Sequence, residues 1–348
     1  MPAAFSRDRA MKRYYRPIPL PDAAFGPGSL PLAGGPCRVS QIEVLSRDAP
    51  PAVIDLRDAP DQVVAAITDV RAPVAGLSMD TPRLMGILNV TPDSFSGDGL
   101  YCAPDAAIQS GLTMVRSGAD ILDIGGESTR PGAETVSVEE EISRTAEVIA
   151  DLRAGTSAPV SIDTRKAPVA RAALAAGASL VNDVSGFTYD PVLASLSAEM
   201  NVPVCVMHAQ GDPATMQADP RYDDVLLDVY DFLEARIDFL VSVGIPKSRI
   251  VTDPGIGFGK TLDHNLALLR RISLFHSLGC PILLGASRKK FIGTVGKAPV
   301  AGDRVPGSIA VGLAALAQGV QILRVHDVEM TKQAVRLYNA ISGGGKDG

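Results

Sequence analysis

PVSIDTRKAPVARAALAAGASLVND, residues 159–183, decides the fold. Its ends, PVSID and LVND, are short apolar runs that finish in Asp163 and in Asn182-Asp183. Between them Ala167 to Ala176 is an Ala-rich stretch of helical length. Gly177 follows where a left-handed C-cap would close a helix before the next strand. Strand, helix and strand in so short a span make a βαβ unit. Strands apolar on both faces are covered on both sides and therefore pair in parallel.

Outward from this stretch the unit repeats. LMGILN (84–89), DILDIG (120–125), PVCVM (203–207), IVTD (250–253), PILLG (281–285) and QILRV (321–325) are runs of the same kind. Segments of helical length such as Tyr222 to Val243 and Met330 to Ile341 follow them. Eight such units fill roughly the 250 residues of an α/β (β/α)8 TIM barrel. An open doubly wound sheet is the rival. The strand ends favour the barrel, because Asn89, Asp123, Asp163, Asn182, His208, Asp253, Ser287, Arg324 and His326 are all polar. In a barrel they converge on one mouth, whereas in an open sheet they spread along a line. Residues 1–80 are proline-rich with little periodicity and read as an irregular N-terminal extension to a catalytic barrel at 81–343. Within it Val63 to Val70 reads as a short helix or strand and Pro73 to Ser78 as a strand. Covering the barrel bottom and serving assembly are both open roles for it.

Of the 348 residues, 46% are hydrophobic and 21% charged, which suits a globular chain with a sizeable core of Val, Ile, Leu and Ala. A net charge of −6 speaks against nucleic-acid binding. The four scattered cysteines form no CxxC pair, against a zinc ribbon or thioredoxin-type site. No apolar leader opens the chain, so a cytoplasmic protein is expected. Val305 to Leu323 carries no charge. It reads as a buried helix and strand rather than a membrane span, so no membrane partner is expected.

Asp163, Asn182 and Asp253 suit a flat heterocycle with adjacent N–H groups, since one carboxylate can accept two parallel bonds. The alternative is that each caps the helix after it. Arg324 and His326, two apart on the last strand, point the same way. With Asn89 and the SRKK segment (287–290) they resemble an oxyanion or pyrophosphate clamp. SRKK as a solvated loop and His326 as a core histidine are the alternatives. PGIGFGKT (254–261) fails both the P-loop and the dinucleotide patterns, and reads as a strand-to-helix loop presenting Phe258. The long segments 90–105 and 126–134 read as lids at the mouth, with Phe95 and Arg130 as contacting side chains.

Taken together, GILNVTPDSFS (86–96), DIGGESTRPGA (123–133), SIDTRK (161–166), VNDVSG (181–186), VMHAQGDPATMQ (206–217), DPGIGFGKT (253–261), LLGASRKKFIG (283–293) and RVHDV (324–328) resemble the dihydropteroate synthases. The resemblance implies a TIM barrel that joins 6-hydroxymethyl-7,8-dihydropterin pyrophosphate to p-aminobenzoate in folate synthesis. It further implies Mg2+ as cofactor, a homodimer, and an SN1-like loss of pyrophosphate catalysed by Asp163, Lys289 and Arg324. By the same resemblance Asp163, Asn182, Asp253, Lys289, Met207 and Phe258 bind the pterin, and Asn89, Arg324 and His326 the pyrophosphate. Asn89 also meets the metal. Phe95, Thr129, Arg130, Pro131 and Ser287 shape the p-aminobenzoate site. SFSGDGL (94–100) departs from the family's SFSDGG, shifting Asp98 by one position. A pterin-binding methyltransferase barrel or a non-catalytic pterin-binding paralogue is the alternative. The methyltransferase has no use for a pyrophosphate clamp, and binding of the pterin pyrophosphate without turnover would mark the paralogue.

Overall fold

A computed structural model describes residues 12–20, 28–91, 104–128, 135–211 and 215–342. The extension expected to be irregular is largely an antiparallel sheet. Strands β1 (Tyr14–Leu20), β2 (Leu30–Pro31), β3 (Arg38–Leu45) and β4 (Ala52–Asp55) make it, with β3 paired to each of the others. Pro17 and Pro19 hid β1 in the sequence. A strand with only one paired neighbour tolerates proline, and the register slips between Ile18 and Pro19. Helix α1 (Asp61–Thr68) resolves the helix-or-strand ambiguity of this segment. Pro73 to Ser78 is not a strand. Val74 and Leu77 bridge across Ala75 and Gly76, both with left-handed φ (48° and 84°), so the segment is a tight reversal.

The barrel strands are β5 (Arg83–Asn89), β6 (Ile121–Gly125), β7 (Val160–Asp163), β8 (Leu180–Asp183), β9 (Val204–Met207), β10 (Ile250–Asp253), β11 (Leu283–Leu284) and β12 (Ile322–Val325). They lie in the order β10-β9-β8-β7-β6-β5-β12-β11, and a parallel bridge from Thr252 to Ile282 brings β10 to β11 and closes the ring. The helices are α2 (Pro104–Arg116), α3 (Val138–Gly155), α4 (Ala167–Ala175), α5 (Pro191–Glu199), α6 (Val225–Ser242), α7 (Leu262–Arg270), α8 (Lys290–Val295), α9 (Val305–Leu316) and α10 (Val328–Ile341). The charge-free run at 305–323 is α9 and the entry to β12. No helix among the described residues is long and apolar enough to cross a membrane.

Period-two alternation divides the core. Outward residues such as Leu122, Ile162, Val181 and Leu323 pack under the helices in one large cluster. Inward residues at the N-terminal ends of the strands, among them Met85, Ile121, Leu180 and Ile322, form a second cluster. Val74 and Met79, both fully buried, pack against this inner cluster and plug the barrel bottom. The sheet of the extension packs on the flank of the barrel, against α6 and the segment Ile272–Leu278. Tyr14 donates to Asp231 on α6 at 2.9 Å, Arg47 bridges Asp228 and Asp231 at 2.8 and 2.9 Å, and Ser273 donates to the Pro17 carbonyl at 2.9 Å.

Candidate active site

One step of two residues beyond the inner apolar layer, the same strands turn polar. Asp123, Asp163, Asn182, Asp253 and Arg324 lie at or near the C-terminal ends of β6, β7, β8, β10 and β12, where the barrel opens. Arg324 is the hub. Its Nε donates to Asp123 Oδ2 at 2.6 Å and its Nη2 to Asp163 Oδ2 at 2.7 Å. Asn182 Nδ2 donates to the same Asp123 oxygen at 3.1 Å. Asp123 is wholly buried, and its Oδ1 has no hydrogen-bond partner among the described residues.

Asp253 Oδ1 accepts from the Gly255 amide at 2.7 Å. A Cβ at Gly285 would lie 3.6 Å from Asp253 Oδ2 and 3.9 Å from Arg324 Cδ, so only a bare backbone separates these two side chains. Lys289 donates to the Ile256 carbonyl, and its Nζ lies 4.5 Å from the centre of the Phe258 ring. Met207, the last residue of β9, is buried beside this turn. Ser287 Oγ and His326 Nδ1 are 3.0 Å apart. Asn89 ends β5, with its Oδ1 3.2 Å from where a Cβ on Gly125 would stand.

Electrostatics follow from this crowding. Burial pushes Asp163 up to about 7 despite the opposing pull of Arg324. Burial also raises Asp253, against Lys289. Lys289 is lowered to about 8 by burial, with Asp253 opposing. Burial works against the Arg324 charge too, but Asp123 and Asp163 outweigh it, so the guanidinium stays protonated. The site therefore offers carboxylate acceptors, fixed cationic donors and an apolar ring face. Those are the groups that grip a planar heterocycle by its N–H edge and an anion beside it.

The capping alternative fails for these side chains. Asp190 caps α5 and Thr261 caps α7, while the N-cap position of α4 is Lys166. Ten residues singled out in the sequence line this mouth: Asn89, Asp163, Asn182, Met207, Asp253, Phe258, Ser287, Lys289, Arg324 and His326. Phe95, Asp98, Thr129, Arg130 and Pro131 lie outside the described residues. His208 turns away from the mouth. Its Nδ1 meets Lys260 Nζ at 2.8 Å, and burial holds the imidazole neutral.

Two residues were undervalued in the sequence. Asp123 shares the inward parity of Asp163, but only its bond to Arg324 reveals its weight. Lys260 also donates to the Gly255 and Phe258 carbonyls, at 2.8 and 3.0 Å, and so shapes the turn that carries Phe258. That turn needs its glycines. A Cβ at Gly255 would come within 1.8 Å of the His208 carbonyl oxygen.

The family model described as pterin binding enzyme matches residues 85–326, the barrel without the N-terminal sheet. A dihydropteroate synthase of Synechocystis sp. is 46% identical over 258 residues, which is 74% of this chain and 89% of the relative. The structure of Xanthomonas albilineans dihydropteroate synthase with 4-aminobenzoic acid superposes with a TM-score of 0.73 at 45% identity, over 78% of this chain and 97% of that one. The Yersinia pestis dihydropteroate synthase in a sulfonamide drug complex gives a TM-score of 0.75 at 42% identity, over 79% of this chain and all of that one. With the barrel, its mouth and these relatives in agreement, the chain belongs to the dihydropteroate synthases of the pterin-binding enzyme family.

Proposed function

We propose that this mouth joins 6-hydroxymethyl-7,8-dihydropterin pyrophosphate to p-aminobenzoate by an SN1-like route, and that Asp163, Lys289 and Arg324 carry the chemistry. The observation behind this is one guanidinium, Arg324, held by Asp123 and Asp163 at the centre of the ring, with Lys289 and Asp253 beside it. Asp253 takes the 2-amino and N3 edge of the pterin. Asn182, Asp163 and Lys289 hold the other edges, and Met207 and Phe258 line the ring. Arg324, His326 and Asn89 take the pyrophosphate.

The bond from the exocyclic methylene to the pyrophosphate oxygen breaks, and its electron pair leaves with pyrophosphate. Asp163 faces the resulting cation. The aniline nitrogen of p-aminobenzoate supplies the pair for the new C–N bond and then loses a proton to solvent. Ser287 shapes the p-aminobenzoate site together with Phe95, Thr129, Arg130 and Pro131. The Xanthomonas relative binds 4-aminobenzoic acid and the Yersinia relative a sulfonamide, and we extend both ligand classes to this site.

Mg2+ fits as a guest of the substrate. No group of three or more His, Cys, Asp or Glu among the described residues could hold a metal alone. Asn89 offers a hard amide oxygen at the pyrophosphate end, and Mg2+ commonly takes most of its ligands from phosphate and water. Bound there, the ion would neutralise charge on the leaving group.

A second copy of the chain is the proposed partner. Leu337 and Ile341 of α10 are 61% and 84% exposed, and the adjoining charge-free α9 is only partly covered. Light scattering on the purified chain checks for the dimer. The free, buried Cys37, Cys205 and Cys280 suit a reducing cytoplasm.

The test of the reaction is pyrophosphate release from the dihydropterin pyrophosphate with Mg2+, with and without p-aminobenzoate. Release that depends on p-aminobenzoate, with dihydropteroate formed, is expected. Tight pterin binding without release would instead support the binding paralogue.

A further inference from the structure

The turn after β11 carries two of the site's side chains, Ser287 and Lys289, and the residue between them is strained. Arg288 adopts a φ of +57°, a left-handed conformation that residues with a Cβ enter at a cost. Such a conformation persists only where its surroundings fix it. Here three contacts do so. The Arg288 amide donates to Ser308 Oγ at 2.9 Å, and Arg304 Nη1 donates to the Arg288 carbonyl at 2.9 Å. The Arg288 guanidinium also makes two parallel bonds to the Asp327 carboxylate, Nε to Oδ2 at 2.9 Å and Nη2 to Oδ1.

Asp327 is the partner that needs explaining. It stands at the N-cap of α10, where an aspartate ordinarily accepts from the amides of its own helix. It makes no such bond, so its side chain is committed to Arg288 instead. Asp327 directly follows His326, and Arg288 directly follows Ser287. The fork therefore runs beside the 3.0 Å contact between Ser287 and His326, as a second cross-link between the same two loops. Within SRKK the sequence places Arg288 in the anion clamp, but its guanidinium is turned to Asp327 instead, and neither residue is among those given a substrate contact in the proposed function.

We infer that the Arg288–Asp327 fork is a positioning device that registers the β11 loop with the β12 end, and so sets how tightly the mouth holds the pyrophosphate of its substrate. The inference rests on the proposed placement of pyrophosphate at Arg324 and His326. The fork ties down the anion side of the site through Lys289 and His326. Asp253 and Asn182, on β10 and β8, receive no contact from it.

The test compares Arg288→Gly, Asp327→Asn and the double variant with the unsubstituted full chain. Glycine retains the left-handed turn and removes the fork. Calorimetry reads the Kd for the dihydropterin pyrophosphate and, separately, for the same dihydropterin bearing a hydroxyl in its place. About a tenfold weakening for the pyrophosphate ligand is expected, the size of losing a bidentate ion pair's positioning. Less than a twofold change is expected for the hydroxyl ligand. The double variant should be no worse than the poorer single one, because both remove the same link.

Equal weakening for both ligands would overturn the inference, since general damage to the mouth acts on both. Unchanged affinities, or losses that add in the double variant, would overturn it as well. If either variant fails to fold, Arg288→Lys retains the charge without the fork and must show the same ligand split. An unsubstituted chain that binds the two ligands equally would instead remove the pyrophosphate placement itself, so the two failures are distinguishable.

Discussion

Ile121 and Asp123 are two residues apart on one strand, as are Leu180 and Asn182, Val251 and Asp253, and Ile322 and Arg324. The first of each pair belongs to the dry layer at the barrel bottom, plugged by Val74 and Met79. The second stands at the polar mouth. A strand turns the same face inward every second residue, so one pleat carries the chain from packing to chemistry. The difference is in what each end can tolerate. The bottom is held mainly by apolar contact, and its losses should appear in stability. At the mouth, buried charges depend on one another, so a loss there should appear in both stability and turnover.

The largest expected effect comes from breaking the mouth at its hub. Arg324→Met leaves Asp123 and Asp163 facing one another without their cation. Removing one partner of a buried ion pair costs about 3–5 kcal/mol. Urea unfolding should show a loss of that order, and dihydropteroate formation should vanish. A stable variant with intact turnover would mean that the two carboxylates do not depend on Arg324. At the bottom, Met79→Ala should cost about 2–5 kcal/mol through the cavity it opens. Its KM for either substrate should stay within about twofold, because the plug never reaches the mouth. A large rise in KM with Met79→Ala would dissolve the separation between the two ends.

The barrel was legible because its signal repeats: apolar runs, helical lengths and polar strand ends recur in phase. The extension was not, because its signals compete. Pro17 and Pro19 argue against a strand that exists at a sheet edge. Ala75-Gly76 bends a segment whose hydrophobicity reads as extended. Within the site, the residues at strand ends were accessible to sequence reasoning because position and chemistry coincide there. Asp123 had the right position, but its importance comes from Arg324, about two hundred residues away in sequence, which no local pattern reports. His208 had the right position too, and Lys260 drew it away. Whether a strand-end side chain faces the mouth or a neighbouring loop is decided by tertiary contacts, as the contrast between Asp253 and His208 shows.

The smallest expected effect is a pH dependence, and it sharpens the account of the mouth. With Asp163 near 7 and Lys289 near 8, the free site is in its working state, Asp163 ionised and Lys289 protonated, only over a narrow span. The profile of kcat/KM for the dihydropterin pyrophosphate should therefore be bell-shaped. It should fall about tenfold per pH unit beyond each limb, and it reports the free enzyme. Lys289→Arg should carry the alkaline limb out of range, since a guanidinium does not lose its proton there, and should leave the acid limb in place. The same burial has a consequence for folding. Asp163 is raised above its ordinary 3.8, so between that value and about 7 the folded chain holds a proton that the unfolded chain has lost. Stability must then fall as pH rises through that window, by linkage, and level off above it. Asp163→Asn removes the titration and should flatten both the acid limb and this part of the stability curve. A variant that keeps the acid limb would place that proton on another group of the mouth, with Asp253 the next carboxylate to replace.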